Sequence, residues 1–583
     1  MIKAEKLTFG FNSTLLFQDI SFSLEENCHC ALIGSNGTGK TTLMNLIREP
    51  ENYIFDGKLK LEGAGRIGYV SQFAIREGDQ TVTVYDYLCQ DFLALEQAIN
   101  DACLQMETTE DMDALMEHYQ NLLDESDAVD ADNYEVNIRR QLKLAELENK
   151  ADLELEKLSG GELKLVQVIR QMLRLPGLLI MDEPDVFLDF ENLNGLRDLI
   201  NAYKGTLLVV THSRYLLAHC FDRIWHLENG DLQEFEGSFN EYSCSRLQKK
   251  IDLQVASIKD EEEIQRISKL VDDLRELATE VSESQHGRTL KGKVSYLNRL
   301  LSRQIKAPFV DIRQPDIHLP KVEVPEEPVE LLKLDNYSLS FEEKLLEAVS
   351  FAVHSGEKVA LVGANGTGKT SMLREIWQNQ NPAIQYSEEA VPAFFSQLHA
   401  EILKEQNTIY QELFAVGFET EAQVEEYLQK YCFDPDTLGR KVGHLSGGEK
   451  NLLQLAKLAA GNANLLLLDE PSSHLDTFAQ IALENAIADY KGAVLMVSHD
   501  FYTIVNCADT ILFVENGGIR PMSARAFRKM IYKKHFSKDY LELELQKKDL
   551  ETRIARYLED SDCVEAQRLC DKLATVVEQM HRV

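Results

Sequence analysis

The stretch Gly34-Ser-Asn-Gly-Thr-Gly-Lys40-Thr41 decides the fold of this chain, and it recurs as Gly363-Ala-Asn-Gly-Thr-Gly-Lys369-Thr370. Both copies fit the pattern Gly-x-x-x-x-Gly-Lys-Thr, in which glycines let successive backbone N–H groups point inward and cradle anionic phosphate oxygens. Each copy follows a short apolar run, residues 30–33 or 359–362. A strand followed by such a loop and a helix is the context that this motif requires. The sequence therefore predicts two nucleotide-binding halves of α/β fold.

Both phosphate loops carry the residues that a nucleoside triphosphate with Mg²⁺ requires. The helix after each loop points its positive N-terminal end at the phosphates. Lys40 and Lys369 can reach the β- and γ-phosphates, and the hydroxyls of Thr41 and Thr370 can bind Mg²⁺. We therefore predict ATP and Mg²⁺ as cofactors. The predicted ATP contacts of the two loops are Gly34, Ser35, Asn36, Gly37, Thr38, Gly39, Lys40, Thr41 and Thr42, and Gly363, Ala364, Asn365, Gly366, Thr367, Gly368, Lys369, Thr370 and Ser371.

Each half then places two carboxylates at the end of an apolar run. The pairs are Asp182-Glu183 and Asp469-Glu470. The aspartate of each pair can hold Mg²⁺, and the glutamate can polarise the water that attacks the γ-phosphate in line. Glu183 and Glu470 are therefore the predicted catalytic bases, and Asp182 and Asp469 are predicted metal ligands and ATP contacts.

Three further motifs recur in the same order in each half. A glutamine ends a short apolar run, where it can touch Mg²⁺ and the attacking water, and Leu-Ser-Gly-Gly-Glu opens a helix whose amides form a second anion site. A histidine ends a later strand, where it can hydrogen-bond the γ-phosphate. An aromatic residue before each loop, Phe11 or Phe341, could stack on adenine or pack in the core, and both alternatives stay open. The other predicted site residues are Gln72 and Gln397, His212 and His499, Ser159, Gly160, Gly161 and Glu162, and Ser446, Gly447, Gly448 and Glu449.

Charge and composition limit the classes of protein. The 583 residues include 96 acidic and 61 basic side chains, a formal net charge of −35, which disfavours sequence-independent nucleic-acid binding unless basic groups are locally concentrated. Apolar runs are too short for a membrane helix, and the N-terminus does not resemble a signal peptide. We therefore expect a cytoplasmic protein.

Cys28-His29-Cys30 could bind a metal, but strand alternation favours a place in the core.

The ordered set of phosphate loop, glutamine, Leu-Ser-Gly-Gly, Asp-Glu and histidine resembles the nucleotide-binding domain of ATP-binding-cassette (ABC) ATPases. The resemblance implies two cassettes in tandem that pack head to tail, because a whole domain has been duplicated. Each ATP would lie between one phosphate loop and the opposite Leu-Ser-Gly-Gly segment, so that Ser446, Gly447 and Gly448 face the ATP of Lys40. Ser159, Gly160 and Gly161 would face the ATP of Lys369. Hydrolysis would then loosen the two cassettes.

The first cassette departs from the family pattern next to its catalytic glutamate. The second cassette reads Asp469-Glu-Pro-Ser-Ser-His-Leu-Asp476, close to the usual sequence, whereas the first reads Asp182-Glu-Pro-Asp-Val-Phe-Leu-Asp189. Val186 and Phe187 replace polar residues in a segment that should cross to the opposite site. We therefore expect unequal hydrolysis rates at the two sites.

Three segments have no counterpart in the repeat. We predict a first cassette at 1–241 with a helical, acidic arm insertion at about 85–135, an interdomain linker at 242–325, a second cassette at 326–525 and a helical extension at 526–583. Apolar residues at helical spacing in the linker predict two antiparallel helices with a turn near residues 282–287. The predicted fold is thus α/β, with two P-loop ABC ATPase cassettes in tandem joined by an α-helical hairpin.

Basic residues concentrate on the predicted return helix of this hairpin. Residues 286–306 contain six lysines and arginines and no acid, which offers RNA phosphates a local contact in an acidic protein. We predict RNA contacts at Arg288, Lys291 and Lys293. Ion pairing within the hairpin, whose first helix is acidic, is the alternative.

Two fused cassettes, a helical linker and an arm in the first cassette resemble the ABC-F family. The resemblance implies an ATPase that binds the ribosome in the tRNA exit site and is monomeric off the ribosome. Its partners would be 23S rRNA, P-site tRNA and exit-site ribosomal proteins, with no membrane. It further implies protection of the peptidyl-transferase centre from antibiotics. A general translation factor of the same family, the ATPase of a transporter with separate membrane subunits, and a DNA-repair ATPase are the alternatives.

Overall fold

The structure, a computed structural model, describes residues 2–11, 14–62, 65–72, 81–106, 112–186, 188–280, 284–303, 314–323, 325, 327–340, 344–535 and 538–582. The strands of the first cassette are β1 (Ile2–Phe11), β2 (Thr14–Leu24), β3 (His29–Ile33), β4 (Asp56–Leu61), β5 (Ile67–Val70), β6 (Leu178–Asp182), β7 (Thr206–Val210), β8 (Arg223–Glu228) and β9 (Asp231–Glu236). Its helices are α1 (Lys40–Arg48), α2 (Val84–Gln105), α3 (Met112–Ala128), α4 (Tyr134–Leu144), α5 (Gly160–Leu173), α6 (Phe190–Ala202) and α7 (Arg214–His219).

In the chain, this cassette is followed by two helices, α8 (Phe239–Glu280) and α9 (Ser284–Arg303), and then by the second cassette. The second cassette has strands β10 (Glu330–Ser340), β11 (Lys344–His354), β12 (Lys358–Val362), β13 (Ile384–Tyr386), β14 (Pro392–Phe395), β15 (Leu465–Asp469), β16 (Ala493–Val497), β17 (Thr510–Glu515) and β18 (Gly518–Ser523). Its helices are α10 (Lys369–Gln378), α11 (Ile409–Phe414), α12 (Glu421–Gln429), α13 (Gly447–Ala459), α14 (Thr477–Asp489) and α15 (Phe501–Cys507), and α16 (Ala524–His535), α17 (Lys538–Glu559) and α18 (Cys563–Arg582) follow.

Each cassette is built on a six-stranded sheet of the same topology. The strand order is β5-β6-β7-β3-β8-β9 in the first and β14-β15-β16-β12-β17-β18 in the second. All neighbours are parallel except the last pair of each sheet. The apolar runs that precede the phosphate loop, the Asp-Glu pair and the histidine become β3, β6 and β7, which lie side by side and are buried along almost their whole length. Since the strands are parallel, their carboxyl ends meet at one edge of the sheet, where ligands of open α/β sheets bind.

A three-stranded antiparallel sheet completes each cassette, in the order β2-β1-β4 or β11-β10-β13. Its inner face packs on the phosphate-loop helix and the central sheet, so that residues such as Phe17 and Leu46 share one core. Strand β2 is continuous over Thr14–Leu24. Asp19 at φ 53° absorbs an irregularity that the alternation of side chains could not reveal. The predicted α/β fold with two tandem cassettes is confirmed.

The described residues group into two compact units. One contains both cassettes, residues 1–236 and 313–529, and the other contains residues 237–312 and 530–583. In the second unit, α8 packs against α9, and α17 and α18 pack together with α18 also against α8. The apolar residues Ile267 and Val271 of α8 are buried, as are Leu550 and Ile554 of α17. The linker and the C-terminal helices thus form one helical assembly, while the predicted domain limits remain predictions.

A side-chain hydrogen bond connects the two helices of the linker. Tyr296 on α9 donates a hydrogen bond from its hydroxyl to Glu263 Oε1 on α8 at 2.8 Å. Helix α9 already begins at Ser284, so residues 284–287 of the predicted turn are helical. At about 1.5 Å per residue, the 42 residues of α8 span roughly 60 Å.

Candidate functional site: two composite phosphate sites

The two phosphate loops adopt the same conformation. Gly39 and Gly368 begin α1 and α10 in the left-handed region, at φ 97° and 90°, which a residue without Cβ adopts at little cost. Lys40 Nζ donates to the carbonyl oxygens of Gly34 and Ser35 at 3.0 and 2.9 Å. Lys369 makes the same two bonds to its own loop. Both lysines are buried, so each ammonium group is held inside its loop.

The threonine and the aspartate predicted to bind Mg²⁺ lie together in both cassettes. Thr41 Oγ1 is 3.4 Å from Asp182 Oδ1, and Thr370 Oγ1 donates to Asp469 Oδ1 at 2.9 Å. Among the described residues, the buried atom Asp469 Oδ2 has no hydrogen-bond partner. Hydroxyl and carboxylate oxygens are the ligands that Mg²⁺ prefers, usually together with substrate phosphates. The residues therefore fit the ion, which Thr41 and Asp182, or Thr370 and Asp469, would hold and which would neutralise phosphate charge.

The two candidate bases share an unusual backbone conformation. Glu183 and Glu470 have φ values of 44° and 50°, in the left-handed region that β-carbon-bearing residues rarely occupy. Burial, followed by the charges of Asp185 and Asp182, raises the pKa of Glu183 to about 7. Burial raises the pKa of Glu470 to about 8, although the backbone N–H of His499 favours its charged form. Carboxylates tuned toward neutral pH are suited to general-base chemistry.

A histidine lies beside each of these glutamates. His212 Nε2 is 3.9 Å from Glu183 Oε1, and His499 Nε2 is 3.6 Å from Glu470 Oε1. Burial, with the charge of Lys40, lowers the pKa of His212 well below its usual value, and burial with Lys369 lowers that of His499 to about 3. Both rings are therefore neutral at pH 7 and can present one N–H to a phosphate oxygen.

A cavity of about 550 Å³ joins residues of both cassettes around the second phosphate loop. We call it the second site. It is the pairing that the family resemblance implies, because the Ser-Gly-Gly segment of the first cassette lines the same cavity as the phosphate loop of the second. The predicted residues lining it are Ser159, Gly160, Gly161, Glu183, His212, Asn365, Gly366, Gly368, Lys369, Thr370, Ser371, Gln397, Glu470 and His499.

The first site, around the first phosphate loop, receives residues of the second cassette. Asn36 donates from its backbone N–H to Asp476 Oδ2 at 3.2 Å and from its side chain to His474 O at 2.8 Å. A Cβ on Gly448 would collide with the Asn36 side chain, so the Ser446-Gly-Gly segment approaches this loop closely. Gln72 Nε2 donates to Glu183 Oε2 at 2.7 Å, which places the predicted glutamine on the predicted base.

Two aspartates that were not among the predicted site residues connect the two cassettes. Asp189 Oδ2 accepts a hydrogen bond from Asn365 N at 3.2 Å, which mirrors the contact between Asp476 and Asn36. Each aspartate also caps the helix that follows it, α6 or α14. The signal was present in the sequence, because Leu-Asp stands at the same offset after each candidate base.

The remaining predicted residues lie in the capping boxes, on β1, on α9 or outside the described residues. The carboxylates of Glu162 and Glu449 accept bonds from the backbone of Ser159 and Ser446 in reciprocal capping boxes, so they order the helix starts on which the glycines lie. Phe11 is 54% exposed and contacts Phe9 edge to face, which leaves its ring accessible to a base. Phe341, Phe187 and the side chain of Arg288 lie outside the described residues, whereas Lys291 is exposed and Lys293 is half-buried on α9.

Comparisons with known proteins agree with this geometry. A protein-family model described as ABC transporter matches residues 17–186 and 346–473. The chain is 28% identical over 512 residues to the energy-dependent translational throttle protein EttA of Haemophilus influenzae, covering 85% of this chain and 88% of EttA. It is 26% identical over 536 residues to ABC transporter F family member 5 of Arabidopsis thaliana, covering 88% and 75% of the two chains. The solved structure of an RNase-L Inhibitor covers 91% of this chain and 92% of its own at a TM-score of 0.53 and 19% identity.

These matches cover both cassettes. Within the described part of the chain, none of the helices combines the length and apolar character needed to cross a membrane. The family matches span just over half of the 583 residues and include both phosphate loops and both Asp-Glu pairs. The protein is an ATPase with two tandem cassettes, and it belongs to the ABC transporter family of ATP-binding proteins.

Proposed function

We propose that this ATPase is an ABC-F protein that acts on the ribosome. The observation that carries the proposal is its similarity over most of its length to EttA, whose name describes it as an energy-dependent translational throttle protein. The similarity to an ABC transporter F family member supports the same family. In this proposal the protein is cytoplasmic and monomeric off the ribosome. It binds the tRNA exit site, where 23S rRNA, P-site tRNA and exit-site ribosomal proteins are its partners.

ATP is proposed to hold the cassettes in the ribosome-binding arrangement. Both composite sites bring a phosphate loop of one cassette against the Ser-Gly-Gly segment of the other. A bound triphosphate would add charge that two helix N-termini share. Glu183 and Glu470 are the proposed bases, and His212 and His499 the groups that contact the γ-phosphate. Hydrolysis then weakens the attraction between the cassettes and releases the protein from the ribosome.

The finer role that we propose is protection of the peptidyl-transferase centre from antibiotics. The helical linker α8–α9 would reach toward this centre, with Arg288, Lys291 and Lys293 as RNA contacts. Cations on a helix attract RNA phosphates even in an acidic protein, provided that they are clustered. A general translation factor of the same family is the alternative, and the similarity to a translational throttle protein is the observation that favours it.

The variant Glu183→Gln with Glu470→Gln tests the ribosomal role. It should bind ATP without cleaving it, sediment with ribosomes when ATP is present and slow the growth of cells that express it. Its appearance only in the ribosome-free fraction would contradict the proposal. Sedimentation with membrane vesicles instead would favour the transporter alternative.

The variant Arg288→Ala, Lys291→Ala, Lys293→Ala tests the linker. It should abolish tolerance to peptidyl-transferase drugs while ATP binding stays at the wild-type level. The matched control is Arg266→Ala, Lys269→Ala, Arg275→Ala, which removes the same charge from the acidic helix α8. Wild-type protein that gives no drug tolerance, yet still alters translation, would establish the translation-factor alternative.

A further inference from the structure

An ion pair crosses between the cassettes beside the second site. Arg214, the first residue of α7, extends from the first cassette to Glu484 on α14 of the second. Its Nη1 donates to Glu484 Oε2 at 3.2 Å, and its Nη2 contacts the other oxygen of the same carboxylate. The side chains of Arg214 and Glu484 are 12% and 8% exposed. A two-pronged contact of this kind fixes the orientation of both groups.

The same guanidinium group holds a second carboxylate. Arg214 Nη2 donates to Asp500 Oδ2 at 3.2 Å. Asp500 directly follows His499 and caps α15, because its Oδ1 accepts from Tyr502 N at 3.1 Å. His499 in turn donates from its backbone N–H to Glu470 Oε2 at 3.1 Å. Asp500, which Arg214 contacts, is therefore the chain neighbour of His499, which contacts the candidate base of the second site.

The two carboxylates depend on Arg214 for charge balance. Thr503 Oγ1 contacts both of them, at 3.2 Å from Glu484 and 2.7 Å from Asp500. Asn506 also donates to Glu484 at 2.8 Å. Without the guanidinium group, two largely buried like charges would face each other across one hydroxyl, and their repulsion in a low-dielectric surrounding is strong. Asp500, the more exposed of the two, would move and carry the His499 segment with it.

The residue of the second cassette that corresponds to Arg214 is uncharged. Phe501 follows His499 at the spacing at which Arg214 follows His212. The Phe501 ring lies 5.7 Å from Phe190 of the first cassette, so the cassettes meet there through aromatic contact. The ionic contact therefore acts on the histidine loop of the second site, and the residues that the structure describes at the first site offer no equivalent of the same chemistry.

We propose that Arg214 is a positioning residue for the second ATP site, supplied by the opposite cassette. It holds Asp500 in place and thereby keeps His499 aligned with Glu470 and with the γ-phosphate. The inference rests on the proposed roles of Glu470 and His499 in hydrolysis. It concerns turnover at one site, which can be measured when only one base is intact.

The test introduces Arg214→Met in two backgrounds of the full-length protein. In Glu183→Gln, where the second site keeps its base, kcat should fall about tenfold or more while KM for ATP changes by less than about threefold, since alignment acts after binding. In Glu470→Gln, where the first site keeps its base, kcat should stay within about threefold. Equal losses in both backgrounds, or a loss confined to KM, would overturn the proposal.

A rescue experiment separates positioning from general damage. Adding Glu484→Gln to Arg214→Met removes the uncompensated charge and should recover a large part of the lost second-site kcat. No recovery in a variant with wild-type thermal stability would contradict the electrostatic argument. Arg197→Met is the matched control, because Arg197 is also buried but bonds to Asp198 and Tyr215 within the first cassette. Full turnover in Glu183→Gln with Glu470→Gln would instead overturn the assignment of the bases, independently of Arg214.

Discussion

The first and second sites share one backbone plan but hold their phosphate loops differently. In the first site, Ser35 donates from its backbone N–H and its hydroxyl to the two oxygens of Glu228, both at 2.9 Å. Burial alone would raise the pKa of Glu228, but hydrogen bonds from His226 and Ser35 outweigh it and lower the pKa. The second loop has Ala364 in place of the serine. Duplication has therefore preserved the cradle while its support has changed.

The candidate bases differ in the same way. Glu183 accepts a bond from the side chain of Gln72, whereas Glu470 accepts one from the backbone N–H of His499. The helix behind each site also differs, because Lys164 donates to the carbonyl oxygen of Gln72 at 2.9 Å while Asn451 at the matching position contacts Ser473 O. Two cassettes with the same motifs can therefore hydrolyse ATP at different rates, since different neighbouring residues contact the motif residues.

The largest expected effect comes from removing both candidate bases together. Loss of a general base typically costs about 100-fold or more, and we expect that loss in steady-state ATP turnover for Glu183→Gln with Glu470→Gln. Glu470→Gln alone should lower turnover more than Glu183→Gln alone, because Gln72 must leave Glu183 Oε2 before its side chain can contact Mg²⁺ and the attacking water. Phosphate release at saturating ATP measures both. Equal single effects would remove the functional difference between the sites.

The support of the first phosphate loop gives the next effect. Ser35→Ala removes a hydroxyl bond to a charged group, which is worth about 1.5 kcal/mol. ATP affinity of the first site should therefore fall about tenfold, as measured by titration in the hydrolysis-deficient double variant. Ala364→Ser is the matched change in the second loop. It should leave affinity unchanged, because Glu515, which matches Glu228 in register, is exposed and lies 3.7 Å from Arg520. A gain in affinity there would show that both loops can use the same support.

Phe11→Ala should weaken ATP binding at the first site by a smaller factor. An aromatic ring stacked on adenine contributes about 1 kcal/mol beyond its buried area, or about fivefold in affinity. Leu15→Ala is the control, since Leu15 is exposed to a similar extent on the next strand. Unchanged affinity in Phe11→Ala would favour the alternative in which this aromatic serves only packing.

The smallest effect should come from Lys164→Met. The substitution leaves the carbonyl oxygens of Ser71 and Gln72 without their ammonium donor, a loss offset in part because a buried charge is removed. We expect a loss of about 1 kcal/mol in the free energy of unfolding of the first cassette, or about 2–4 °C in Tm for a domain of about 200 residues. Thermal melts of Lys164→Met and Asn451→Ala compare the two cassettes. An unchanged Tm in Lys164→Met would contradict the expected loss.

Much of the site could be predicted because recurring motifs constrain residue type and chain order. The phosphate loops, the Asp-Glu pairs and the histidines follow strands whose apolar runs are visible in the sequence, and a parallel sheet brings their ends together. The helical linker and the C-terminal helices could also be predicted from the spacing of their apolar residues. Their packing into a single unit could not, because helical spacing shows which face of a helix is apolar but not which helix covers it.

The sequence by itself determined the chemistry of this protein, because a loop that cradles phosphate, a carboxylate pair and a histidine need particular residues at particular spacings. Only the tertiary structure decided how the cassettes share their sites. The contacts of Asn36 with Asp476 and of Arg214 with Glu484 join residues that are 440 and 270 positions apart. Contacts between residues so distant in the chain depend on how two finished domains face each other, and local residue patterns carry no information about that.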